Sequence, residues 1–117
     1  MTFAKFQELL AGKYPDAEAF AHSEFERGER GTVAKVTITF RPGEKAYMYR
    51  VAYEDVLCKV GIPVISRERL ESKEATLRRY EEEHGTEDVF GFVRDYSGQI
   101  AEWREMIEDY RANYTIV

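Results

Sequence analysis

Side chains that react or ligate metals are scarce in this chain. Its 117 residues include one cysteine, Cys58, and two histidines, His22 and His84. A lone cysteine excludes an intrachain disulfide, and a reducing compartment is the simpler home for such a chain. Cys58 lies among Val56, Leu57 and Val60, which reads as a small core residue rather than a nucleophile. Structural zinc sites normally take four Cys or His ligands, often in short pairs. His22, His84 and Cys58 are too few and too scattered for that. Glu81 and His84 make one Glu-x-x-His, whereas carboxylate di-metal bundles repeat it and add further glutamates. No metal and no cofactor is expected. Ser23, Ser66, Ser72 and Ser97 lack a Gly-x-Ser-x-Gly setting. Gly28, Gly31 and Gly43 flank turns and form no phosphate-cradling run. The adjacent Glu54 and Asp55 suit the start of a helix, where the macrodipole favours anions, better than acid–base chemistry. The chain is therefore expected not to be an enzyme.

Long apolar runs are missing too. No stretch approaches the ~18 residues of a membrane span. Lys5, Gln7 and Glu8 interrupt the start, so no signal-peptide core is expected. A cytoplasmic protein without membrane contact is the expectation. Basic charge is in deficit, with 17 Lys+Arg against 22 Asp+Glu and a net charge of −5. Residues 1–66 hold nine acids and nine bases, so residues 67–117 carry the whole excess. From Glu81 to Asp109 ten acids face only Arg94 and Arg104. A phosphate backbone binds by exchanging counterions for Lys and Arg, so direct nucleic-acid binding through that half is not expected. Such a surface solubilises the chain or docks on a basic protein patch.

What is present is enough to fold. The hydrophobic set makes up 44% and charged residues 33%, which suits one globular domain over residues 1–117. A compact chain of this length would have a radius of gyration of about 13 Å. Phe3, Phe6, Leu9 and Leu10 define a helix from Phe3 to about Lys13, with Thr2 as N-cap. Thr32 to Arg41 alternates with period two and reads as a strand. Glu18 to Arg27 pairs with it across Gly28-Glu29-Arg30-Gly31, although its pattern is less regular. The turn Arg41-Pro42-Gly43-Glu44 feeds a third strand, Lys45 to Val51. A short helix over about Tyr53 to Val60 and a brief strand over Ile62 to Ile65 follow. Ser66 then caps a long helix, Arg67 to His84, and a last helix runs from about Ser97 to Arg111. Leu70, Leu77, Tyr80 and His84 on one, and Ile100, Trp103, Ile107 and Tyr110 on the other, form narrow stripes suited to an antiparallel hairpin. The tail Asn113-Tyr114-Thr115-Ile116-Val117 reads as a strand returning to the sheet.

The fold class is therefore α+β. An antiparallel sheet of three to five strands packs with an N-terminal helix, a short helix and a C-terminal antiparallel helical hairpin. Residues 1–65 supply the helix, meander and short helix; residues 66–117 supply the hairpin and terminal strand. The connection from Gly85 to Tyr96 carries Val89, Phe90, Phe92 and Val93, and is expected to fold back onto the core, or else to bind a partner.

Two functional readings follow. In the first, Glu81, Glu82, Glu83, Glu87 and Asp88, with Phe90 and Phe92, occupy a basic groove on a protein partner. Five acids near a helix C-terminus oppose the macrodipole, which favours a functional reason for the cluster. In the second, Tyr47, Tyr49, His22 and Cys58 line a pocket of a small enzyme or ligand-binding domain, between sheet and helices. Tyr47 and Tyr49 could also stack bases beside Lys45 and Arg50. The net charge favours their packing under a helix instead. Self-association of the hairpin through Trp103 and Tyr110 into a homodimer is a third reading.

The segments MTFAKFQELLAGKYP, RPGEKAYMYRV, YEDVLCKVGIP and NYTIV together resemble, in style and order, small acidic proteins carried by phages and mobile elements of gut Gram-positive bacteria. Some of those are inhibitors of host defence, including anti-CRISPR proteins that bind the effector nuclease. The resemblance implies a stoichiometric, protein-binding inhibitor whose partner is a CRISPR effector nuclease or another nucleic-acid-handling enzyme. It carries no functional residue over to a position here.

Overall fold

The computed structural model describes residues 1–28 and 31–117. Thr2 accepts a hydrogen bond from the Lys5 amide at 3.1 Å and opens helix α1 (Phe3–Lys13). The three-and-four spacing places Phe6 and Leu10 in the core, with Phe3 and Leu9 packed beside them. Strand β1 (Glu18–Glu26) pairs antiparallel with β2 (Thr32–Thr39), which pairs antiparallel with β3 (Tyr47–Ala52). Glu29 and Arg30 of the expected first turn lie outside the described residues. In the second turn the Glu44 amide donates to the Arg41 carbonyl at 3.1 Å, and Gly43 takes φ +82°.

Period-two alternation divides β2 cleanly. Ala34, Val36 and Ile38 are buried, while Val33, Lys35, Thr37 and Thr39 are only partly covered. The inner face is covered by α1 and by helix α2 (Tyr53–Lys59), which starts directly after β3. Tyr53 stacks on Phe6 at 4.8 Å between ring centroids, and its hydroxyl donates to the Glu24 carboxylate. Burial first, then the Glu24 hydrogen bond and charge, push the Tyr53 pKa well up. The Tyr14 hydroxyl donates to the Val60 carbonyl at 2.6 Å and ties the end of α1 to the end of α2. Tyr49 packs against this core, as expected of its face of β3.

Strand β4 (Val64–Ile65) leads into helix α3 (Arg67–Glu83); helix α4 (Ser97–Asn113) returns and ends in β5 (Thr115–Ile116). The strand-prone tail predicts a terminal strand that rejoins the three-stranded sheet. It instead pairs parallel with β4, the Thr115 amide donating to Pro63 and the Val117 amide to Ile65. The reason is topological: α2 carries the chain off the meander, so the strand beside the end of α4 is β4.

Helices α3 and α4 run antiparallel, since Glu81 meets Arg104 at 3.0 Å and Glu74 meets Arg111. Leu70, Leu77, Ile107 and Tyr110 fill the base of their seam. Tyr80, Tyr96 and Trp103 continue it outward, with the Lys73 ammonium over the Trp103 and Tyr110 rings. Seventeen residues make each helix about 25 Å long. The pair projects from the sheet body instead of lying on it. The molecule therefore measures 64 × 28 × 20 Å with a radius of gyration of 18.5 Å, well above the compact expectation.

One buried carboxylate joins the two parts. Glu54, 2% exposed, accepts from the Ser66 amide and from Arg69 Nη1, both at 3.2 Å. Arg69 also reaches Asp55 at 3.4 Å. Glu54 is thus a cross-link between α2 and the start of α3, more than the helix-start anion expected of it. Removing one partner of a buried ion pair costs about 3–5 kcal/mol, because the other charge stays uncompensated. Glu54→Ala should fall at the lower end of that range in urea unfolding, since Arg69 retains Asp55. Glu54→Gln, which keeps an acceptor for the Ser66 amide, should lose less; equal losses would show that the charge is not what matters.

Candidate functional site: the tip of the helical hairpin

The connection between α3 and α4 is a small, closed hairpin. The Gly85 amide donates to Arg94 at 2.9 Å and the Arg94 amide to Thr86 at 2.8 Å; Glu87 and Val93 form an antiparallel bridge. At the apex the Asp88 amide donates to Phe92 and the Gly91 amide to Asp88. One carboxylate oxygen of Asp88 accepts from the amides of both Phe90 and Phe92, at 2.8 and 3.0 Å. Gly91 takes φ +82°, a conformation that costs a side-chain-bearing residue strain. Arg94 Nη1 donates to Thr86 Oγ1 and to the Glu87 carbonyl, bracing the two arms.

Both helix ends are anchored to this turn. His84 ends α3, and its Nδ1 accepts from the Tyr96 amide at 3.0 Å. The ring acts here as an acceptor that ties the end of α3 to the start of α4. Asp95 accepts from the hydroxyl and amide of Ser97, and these bonds hold its carboxyl below the usual range. Asp95 thereby caps α4, a role Tyr96 at the N-cap position does not fill.

This ordered turn presents apolar side chains to solvent. Val89 is 91% exposed, Phe90 82%, Phe92 72% and Val93 65%. The segment does not fold back onto the core, because two helices about 25 Å long hold it away. Burying a Val or Phe is worth about 1.5–3 kcal/mol each, so the isolated chain forgoes a sizeable gain here.

The five expected acids are not equivalent. Glu81 is held by Arg104, and Asp88 is half-buried and builds the turn. Glu82, Glu83 and Glu87 have no ion-pair partner among the described residues, and Glu82 and Glu87 are exposed. The free anions beside the apolar tip are therefore these three.

Of the second set of candidate residues, His22 is separated from the two strand tyrosines by the sheet. His22 lies on the outer face of the sheet, where its Nε2 meets Thr37 Oγ1 at 2.7 Å. Tyr49 packs on the opposite, inner face, and Tyr47 reaches Phe40 at the same side. The Cys58 thiol donates to the Val64 carbonyl at 3.4 Å. Four surface clefts of about 310–440 Å³ are lined by other residues. Among the described residues no group of three His, Cys, Asp or Glu could hold a metal ion, and no helix is long and apolar enough to cross a membrane.

Sequence reasoning missed the outer sheet face. Phe20, Phe25 and Met48 stand exposed there, at 64, 56 and 57%. The signal was the irregular alternation of residues 18–27. A bulge between Ala21 and Ser23 adds a residue, so Phe20 and Phe25 share a face despite their odd spacing.

Asp88→Ala removes the acceptor that orients both phenylalanine amides. Hydrogen exchange at Phe90 and Phe92 should accelerate, with global stability falling by about 1 kcal/mol or less. Unchanged exchange would mean that the turn holds its shape without the carboxylate. No protein-family model, curated protein or solved structure matches the chain.

Proposed function

We propose that this chain is a non-enzymatic protein-binding module that docks through the tip of its helical hairpin. The observation that carries the reading is the exposure of Val89, Phe90, Phe92 and Val93 on a turn locked by Asp88. Exposed apolar groups on a preorganised element mark interaction surfaces, and ordering the turn beforehand lowers the entropy lost on binding. Aromatic anchors supply most of the affinity in such contacts. Glu82, Glu83 and Glu87 beside them select a partner whose apolar pocket is bordered by Lys and Arg, and speed the encounter.

In its finer form the reading makes that partner a nucleic-acid-handling enzyme, with a CRISPR effector nuclease as the case suggested by resemblance. A channel that holds a phosphate backbone is lined by Lys and Arg. An anionic, apolar-tipped arm built of two 17-residue helices could enter such a groove and exclude the nucleic acid by competition. The partner would then be a protein, and the acidic arm would itself have no affinity for nucleic acid.

Capture experiments on host lysate with the whole chain as bait test this. Phe90→Ser with Phe92→Ser should abolish capture of a partner retained by the native chain, a weakening of about 30-fold or more. Glu82→Lys with Glu87→Lys should weaken it most at low salt, and the gap should narrow as salt rises. A partner retained equally by both double variants would refute docking through the tip.

A further inference from the structure

The sheet's outer face has the complementary character. Thr37 lies at its centre, paired in register with Phe20 on one side and Met48 on the other. Beside it Lys35 is paired with Ser23 and Arg50, and a groove of about 410 Å³ runs along Phe25, Lys35 and Arg50. Neither Lys35 nor Arg50 has an ion-pair partner among the described residues. Helices α1 and α2 cover only the inner face, so the cations and exposed Phe20, Phe25 and Met48 have no cover of their own. The tip offers the matching set: exposed Phe90 and Phe92 with unpaired Glu82 and Glu87.

We infer that the outer sheet face seats the hairpin tip of a second copy of this chain, in a head-to-tail contact. The inference rests on the tip being a docking element and names one occupant for it. Apolar groups on both surfaces would be buried, and the unpaired charges on one find opposite charges on the other. The projecting hairpin carries the tip away from its own sheet, which leaves it free to reach a neighbour. Such a contact is heterologous: each molecule uses a different patch, so association continues into rings or open chains instead of stopping at a two-fold dimer. This differs from the symmetric hairpin pairing through Trp103 and Tyr110, which are already engaged with Tyr80, Lys73 and Tyr114 within the chain.

Sedimentation velocity of the whole chain tests the inference. The native chain should gain mass with concentration, and raising salt from about 0.05 to 0.5 M should weaken association at least tenfold. A tip variant (Phe90→Ser, Phe92→Ser) and a sheet variant (Phe25→Ser, Lys35→Glu, Arg50→Glu) should each be monomeric. All five positions are exposed or partly exposed, so both should fold; circular dichroism checks this. Mixed in equal amounts, the two variants should form a 1:1 dimer and nothing larger, since one keeps its sheet and the other its tip. Charge exchange gives a second route: Glu82→Lys with Glu87→Lys should pair at low salt with Lys35→Glu with Arg50→Glu.

A native chain monomeric up to about 1 mM, or variants that fail to complement while the native chain associates, would overturn the inference. So would a monomeric native chain that binds labelled oligothymidylate and loses it in the sheet variant, which would make single-stranded nucleic acid the occupant. If the native chain is monomeric yet the tip variant still loses a captured partner, this inference fails and docking through the tip stands.

Discussion

The arrangement of this molecule depends on a carboxylate out of water. Glu54 is almost fully buried at the junction of α2 with α3, and it accepts from the Ser66 amide and the Arg69 guanidinium. A charge in that position is tolerated only with a full set of partners. The requirement fixes where α3 begins and which way it leaves the sheet body. The parallel pair of β4 and β5 adds a second restraint, because the Arg67 amide donates to the Val117 carbonyl and so joins the start of α3 to the end of the chain. Direction is thus set at the base of the hairpin, by hydrogen bonds that Glu54, Ser66, Arg67 and Arg69 make there.

That direction determines what the rest of the chain presents. With α3 and α4 projecting, the turn that joins them cannot reach the core, and Phe90 and Phe92 face solvent. The same geometry leaves the outer sheet face uncovered, since α1 and α2 occupy the inner one. Charge is divided along with the surfaces. Screening at physiological salt acts over ~8 Å, so in a molecule 64 Å long the anionic tip and the cations Lys35 and Arg50 act as separate sites. A net charge of −5 therefore describes neither end. The acidic hairpin repels a polyanion, whereas the sheet, with Lys35 and Arg50 on its outer face, does not share that excess of negative charge.

Local signals along the chain were legible in proportion to how local their causes are. Thr2 and Ser66 were identifiable as caps because a hydroxyl three residues before an amide suffices to satisfy it. The meander followed from the alternation of Thr32 to Thr39 and from Pro42-Gly43, whose backbone preferences are intrinsic. The seam residues Leu70, Leu77, Ile107 and Tyr110 followed from helical spacing. Less legible was β1, where the bulge at His22 breaks the period that pattern reading relies on. Of the candidate site, the sequence marks Phe90 and Phe92 as apolar residues in a connection, yet nothing local distinguishes a docking loop from one folded on the core. In the sequence the acids form one uniform cluster, whereas Glu81 and Asp88 have partners that the packed helices and the closed turn supply.

By itself, the sequence determined the α+β class, the order of the elements and most of their bounds, because helix caps, turn residues and apolar periodicity act over a few residues. It determined equally that acidic charge gathers in the second half. Tertiary structure alone decided that the terminal strand pairs with β4, that the hairpin projects, and that His22 lies on the opposite sheet face from the two strand tyrosines. Those outcomes turn on contacts between residues far apart in the chain, above all Glu54 with Ser66 and Arg69, where burial makes one hydrogen-bonded geometry much better than its alternatives.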